Sequence, residues 1–151
     1  MHDLVKLLEK KNLTISSCES ITGGAFSEAL VKTEGASKVF RGGLIAYSAH
    51  SKVHLARVQL TTLQSFGAVS VETAIEMAQN AKNLFDSDMA ISFTGNAGPE
   101  NHENKPLGLV YIALAYNNKC LVYEYQLSGN RKQIINKCVK LIKELIKENL
   151  K

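Results

Sequence analysis

Ser20, Lys52 and Arg131 are the side chains whose settings in this 151-residue sequence suggest chemistry. Ser20 stands in Cys18-Glu19-Ser20-Ile21-Thr22-Gly23-Gly24, directly after the alternating run Leu13-Thr14-Ile15-Ser16-Ser17. A serine at a strand-to-helix turn can project its hydroxyl outward while N–H groups of the new helix face the same space. That is the logic of a nucleophile elbow, although no GxSxG pattern is present. Gly23 and Gly24 let the backbone approach a bound group closely. Read locally, Ser20 or Thr22 serves equally well as the N-cap of the following helix.

A serine nucleophile needs a base, and the four histidines offer little. His2 is terminal, His50 and His54 fall on an exposed helix, and His102 lies in a polar loop. Lys52 is the better candidate, one helical turn beyond the end of a second strand. An unperturbed lysine is neutral in about one molecule in 2,500 at pH 7. Burial or a neighbouring cation would have to bring its pKa down toward neutrality for base work. Failing that, Lys52 is an ordinary exposed helix lysine. Arg131 opens the last helix after Ser128-Gly129-Asn130, where the macrodipole disfavours a cation. An anionic partner such as a phosphate would account for it, helped by backbone donors at the glycine turns. A plain surface arginine is the alternative.

The elements that must position these residues follow from periodicity and punctuation. Helices are expected over Asp3–Lys11, Thr22–Val31, Ser48–Ala56 and Val71–Phe85, with a helical turn over Thr61–Phe66. Ser48 and Ser70 are N-cap candidates, and Gly35 breaks the second helix. Strands are expected over Leu13–Cys18, Gly42–Tyr47 and Asp88–Thr94. A hairpin of Leu107–Ala115 and Cys120–Leu127 turns at Asn117-Asn118. The closing helix, Arg131–Lys151, carries the apolar stripe Ile134, Cys138, Leu141, Ile142, Leu145 and Ile146. Alternating helices and strands with a late hairpin predict an α/β fold: a three-layer α/β/α domain around a mixed sheet. Three strand ends carry polar or glycine-rich sequence: Glu19 to Gly24, Tyr47-Ser48 and Thr94-Gly95-Asn96-Ala97-Gly98. Open α/β sheets bind ligands at such ends.

Composition narrows the classes. Residues 1–151 read as a single domain large enough to bury a core. No apolar run approaches the roughly 20 residues of a membrane span, and no membrane partner is expected. Three cysteines without close pairs or metal spacing argue against a disulfide framework and a structural metal. A cytoplasmic location is the expectation. Of the 18 basic residues, seven lie in 131–151, on a helix without aromatics. That fits a solvated lysine face better than a nucleic-acid surface.

Taken together, the segments resemble the CinA C-terminal domain family. Cys18-Glu-Ser-Ile-Thr-Gly-Gly24 is similar to its A-E-S-C-T-G-G pattern, and Arg41-Gly-Gly-Leu-Ile-Ala-Tyr-Ser48 to its R-G-G-x-x-x-Y-S, with the following lysine at Lys52. Gly67-Ala-Val-Ser70, Thr94-Gly-x-Ala-Gly-Pro99, Lys105-Pro-x-Gly108 and Ser128-Gly-x-Arg131 agree in the same order. The resemblance implies a sheet of about five strands in an anticodon-binding-domain-like architecture. It also implies a Ser/Lys amidohydrolase that deamidates nicotinamide mononucleotide to the nicotinate nucleotide plus ammonia, in pyridine nucleotide recycling. The homodimer common among relatives is implied too, and no cofactor is called for.

By that resemblance Ser20 is the nucleophile, Lys52 the base, and Tyr47 orients the pair. Glu19, Thr22, Gly23, Gly24, Gly42, Gly43, Thr94, Gly95 and Arg131 would contact substrate. Amides near Gly23 and Gly24 would form the oxyanion site, and Arg131 would meet the phosphate or keep Lys52 neutral. The chain departs from the family at Ile21, at Ala49-His50-Ser51, at Asn96 and at Glu100-Asn-His-Glu-Asn104. Two carboxylates in that last segment would repel a phosphate if they faced the site. A catalytically impaired nucleotide-binding module, or a competence- or damage-associated module, is the alternative.

Overall fold

A computed structural model describes residues 1–150. Five strands form one sheet: β1 (Ile15–Glu19), β2 (Phe40–Ile45), β3 (Met89–Gly95), β4 (Leu109–Tyr116) and β5 (Lys119–Gln126). Their order is β2-β1-β3-β4-β5. β1 runs parallel to both β2 and β3, while β3–β4 and β4–β5 are antiparallel. The sheet is therefore mixed, as the late hairpin requires.

Among the described residues seven helices accompany the sheet: α1 (His2–Lys10), α2 (Ala25–Val31), α3 (Ala36–Val39), α4 (Ala49–His54), α5 (Leu60–Phe66), α6 (Val71–Leu84) and α7 (Arg131–Asn149). Alternation along β3 sorts them into two layers. Met89, Ile91 and Phe93 join one cluster with Leu4, Leu8, Phe26, Leu30 and the α7 stripe. Ala90 faces the opposite layer, with Cys18, Met77 and Ala81. There Ala74 and Ala78 of α6 meet Ala113 and Ala115 of β4. Small residues on both surfaces let α6 lie close to the sheet. Hydroxyls buried in this dense interface are satisfied, Ser92 Oγ donating to the Ala74 carbonyl at 2.6 Å.

Several boundaries differ from the sequence expectation. α2 begins at Ala25 rather than Thr22, because Gly23 and Gly24 hold positive φ of 55° and 102° and form a turn. α2 ends at Val31 with Lys32 as its C-cap, and Gly35, also at positive φ, is the N-cap of the short α3, which the sequence reading lacked. Ser48 and Ser70 do cap their helices, accepting the Ser51 and Thr73 amides. α7 ends at Asn149, and Lys151, included in the expected closing helix, lies outside the described residues.

Candidate active site

β1, β2 and β3 are mutually parallel, so their carboxyl ends share one edge of the sheet. A cavity of about 450 Å³ opens there, bordered by Ser20, Tyr47, Lys52, Thr94, Glu103 and Arg131 among others. Ser20 is the first residue beyond β1, its backbone tied to the sheet by donation to the Phe93 carbonyl at 2.9 Å. Lys52 reaches the same point from α4, the helix that follows β2 and is started by a Ser48–Ser51 capping box.

Lys52 is 2 % exposed. Its Nζ lies 2.8 Å from Ser20 Oγ, 2.9 Å from the Ala46 carbonyl and 3.4 Å from the Tyr47 carbonyl. Carbonyls accept and never donate. Once neutral, the amine gives its two N–H bonds to these carbonyls, and its lone pair is left for the Ser20 hydroxyl proton. Burial pushes the Lys52 pKa below its ordinary value, and the Glu103 carboxylate opposes that shift. Cys18 lies nearby, but burial drives its own thiol up to about 12, so it is uncharged at neutral pH. Desolvation thus favours the neutral form of the Lys52 amine. Among the described residues, the Arg131 guanidinium donates to the Gly98 carbonyl and the Tyr47 hydroxyl rather than to the partners of Lys52.

Arg131 borders the cavity, donating to the Gly98 carbonyl at 2.6 Å and to the Tyr47 hydroxyl at 2.5 Å. Tyr47 thus meets Lys52 through its carbonyl, while the residue is 59 % exposed and its hydroxyl accepts from Arg131. Thr94 Oγ1 donates to the Ala68 carbonyl at 2.7 Å. Gly95 is pressed against β4: a Cβ there would lie 2.6 Å from the Leu109 carbonyl oxygen. Both residues line the cavity.

Other expected contacts fall elsewhere. Glu19 is fully buried and points into the protein, where its carboxylate accepts the amides of Gly24, Phe26 and Ser27 at 2.9–3.1 Å and the Ser27 hydroxyl at 2.6 Å. It fastens the start of α2 and with it the Ser20 turn. The Gly24 amide is consumed by Glu19, and the Gly23 amide donates to the Ser20 carbonyl, so neither is free for an oxyanion. Gly42 and Gly43 lie within β2, packed against Phe85 and against Ser17 and Ser27 respectively, and do not line the cavity. Thr22 is also buried off the cavity wall, its hydroxyl without a partner among the described residues.

Sequence reasoning gave no site role to Ala68, Val69 and His102, which also line the cavity. It treated Asn96 and Glu103 only as departures. Of the two carboxylates in 100–104, only Glu103 reaches the wall; Glu100 is exposed outside it. His50 and His54 are exposed, as expected, with ring centroids 4.2 Å apart. Among the described residues no group of three or more His, Cys, Asp or Glu could hold a metal ion, and no helix is long and apolar enough to cross a membrane.

The family model for the CinA C-terminal domain matches residues 1–150. The chain belongs to that family. A CinA-like protein of Kosmotoga olearia is 44 % identical over 148 residues, which is 97 % of this chain but 36 % of that protein. The chain thus spans about a third of the length of the curated relatives it matches. The crystal structure of a competence or damage-inducible protein from Enterobacter asburiae superposes with a TM-score of 0.95 at 28 % identity, covering 99 % of this chain and 98 % of that one. A competence/damage inducible protein from Agrobacterium tumefaciens gives 0.89 at 32 % identity, covering 96 % and 92 %. The mixed five-stranded α/β fold is the fold of this superfamily.

Proposed function

We propose that this domain is a Ser/Lys amidohydrolase that deamidates nicotinamide mononucleotide, giving the nicotinate nucleotide and ammonia. The observation that carries the reading is the 2.8 Å contact between Ser20 Oγ and the buried Lys52 Nζ, inside a cavity that Arg131 borders. A buried lysine held by two carbonyls and a serine hydroxyl has no structural need of a charge. It has the makings of a base.

In the proposed reaction Ser20 Oγ attacks the carboxamide carbon as its proton passes to Lys52 Nζ. The tetrahedral oxyanion is met by the Ile21 amide, which directly follows the nucleophile and has no acceptor among the described residues. Collapse expels the amine, which takes the proton back from Lys52 and leaves as ammonia. Water then gives its proton to Lys52, attacks the acyl-serine, and the carboxylate is released with Ser20 restored. The phosphate sits at the rim on Arg131, whose planar fork suits it.

Ammonia release from nicotinamide mononucleotide by purified protein, lost in Ser20→Ala, tests the reading. Nucleotide binding without ammonia release would sink it in favour of a binding module.

A further inference from the structure

Glu103 is the anionic side chain on the cavity wall, and the fold fixes it there. Its carboxylate accepts the Ala68 amide at 2.6 Å and the Val69 amide at 3.1 Å, and lies 3.5 Å from Lys105 Nζ. Lys105 in turn donates to the Phe66 carbonyl at 2.8 Å and to the Val69 carbonyl. From the other side, buried Asn96 donates Nδ2 to the His102 and Lys105 carbonyls, both at 3.1 Å. Residues 102–105 are thereby stitched to the α5–α6 connection and to the end of β3. The Glu103 side chain is still 34 % exposed, toward a cavity it helps to line.

Burial pushes the Glu103 carboxyl up, but the two amides and Lys105 outweigh it and hold the pKa below the usual value. The group is a carboxylate at neutral pH. Ala68, whose amide holds Glu103, also accepts from Thr94 at the end of β3, next to Phe93, whose carbonyl holds Ser20; Arg131 is tied instead to the Gly98 carbonyl and the Tyr47 hydroxyl at the rim. The negative charge therefore lies toward the reacting end of the cavity and the guanidinium toward the far end.

We propose that Glu103 determines substrate specificity by reading the positive charge of a quaternary pyridinium ring whose carboxamide faces Ser20. The inference rests on the amidohydrolase reading. In a nicotinamide nucleotide the ring nitrogen is two bonds from the carbon bearing the carboxamide, so the cation sits at the reacting end. The phosphate lies beyond the ribose, at the Arg131 end. A zwitterion of that length meets an opposite charge at each end, and the carboxylate does not have to face the phosphate. A neutral-ring analogue keeps every other contact and loses this one, so discrimination arises from a difference of two affinities.

The test uses Ser20→Ala protein, which binds without turnover, with and without Glu103→Gln. Calorimetry gives dissociation constants for nicotinamide mononucleotide and for its 1,4-dihydro form, which has the same phosphate, ribose and carboxamide on an uncharged ring. Glu103→Gln is expected to weaken the cationic ligand about tenfold, equivalent to about 1.4 kcal/mol. The dihydro form should change by less than about twofold. Glu103→Asp, which keeps the charge, should restore part of the preference. Equal weakening of both ligands would reduce Glu103 to a structural tie between loops, and no weakening of the cationic one would overturn the proposal outright. Ammonia release by the wild type is measured alongside. Its absence with the charge preference intact would remove the amidohydrolase reading and leave Glu103 as a reader of cationic rings. Failure of nicotinamide mononucleotide to bind would remove both.

Discussion

Lys52→Arg separates a base from a mere cation. Arginine keeps a positive donor for the Ala46 and Tyr47 carbonyls but does not deprotonate in a protein. An unperturbed lysine is neutral in about one molecule in 2,500 at pH 7, and an arginine in fewer than about one in 100,000. The population able to accept the Ser20 proton therefore falls by at least about a hundredfold before burial is considered. Burial of Lys52 lowers its pKa further, and each such unit multiplies the neutral fraction of the wild type about tenfold. Set beside the general-base contribution of about 10²–10⁴, a loss of at least about 10³ in kcat is expected, or about 4 kcal/mol in the barrier. Steady-state ammonia release gives the rate, and nucleotide binding by calorimetry shows that the site survives. The wild-type pH profile supplies a second check. Activity requires the neutral amine, so kcat/KM rises with pH and levels off above the Lys52 pKa, at a midpoint below 10.5. Activity of Lys52→Arg within about tenfold of wild type, against that 10³, would refute the reasoning, as would a midpoint at or above 10.5.

Lys52→Met tests the same burial through stability. Between the lowered folded pKa of Lys52 and its ordinary 10.5, the unfolded chain holds the extra proton, so wild-type stability rises with pH across that window; urea titrations should show the slope weakened in the variant. Glu19→Ala leaves three amides at the start of α2, one buried and two half-buried, without their acceptor. At about 1–3 kcal/mol for each stranded group, softened by relaxation, a loss of about 3–5 kcal/mol is expected by chemical denaturation. Glu19→Gln, which keeps one acceptor oxygen, should lose less. Arg131→Ala should raise KM for the phosphate-bearing nucleotide by about tenfold to a hundredfold, since charge-assisted bonds contribute about 1.5–3 kcal/mol. With the phosphate-free nucleoside the same variant should match wild type, as steady-state kinetics on both substrates would show. Gly95→Ala drives a methyl to 2.6 Å from the Leu109 carbonyl oxygen, and overpacking of about 1–3 kcal/mol should appear as a lowered thermal midpoint.

The layers of the fold were legible because they depend on local pattern. Seven consecutive residues of β3 had to lie across a sheet with helices on both faces, and the alternation of large and small side chains within them names the two layers. The hairpin at Asn117-Asn118 was equally local, with Asn117 at the positive φ such turns require. Glu19 shows where locality fails. Next to Ser20 an acidic residue invites a substrate-contact reading, yet strand alternation turns Glu19 to the opposite side from Ser20. It meets the α2 amides there. Gly42 and Gly43 lie within β2, where a Cβ would meet Phe85 at the first and Ser17 and Ser27 at the second. Glu103 was harder still, since its partners Ala68 and Val69 lie 35 and 34 residues away.

Lys52 joins these two lessons. Its spacing after β2 was visible, but its burial was not, because that is set by everything that closes around α4. The Ala46 carbonyl at the end of β2, the Ser20 turn held by Glu19, and the cavity wall together exclude water from one amine. No neighbouring cation is needed to depress it. That leaves Arg131 free for an anion, and it makes the Glu103 carboxylate the one nearby charge opposing the neutral amine at physiological pH. A cationic ring bound against Glu103 would offset that opposition as it arrives. In a site arranged this way, the substrate that Glu103 selects is also the one that completes the desolvated setting Lys52 requires to act.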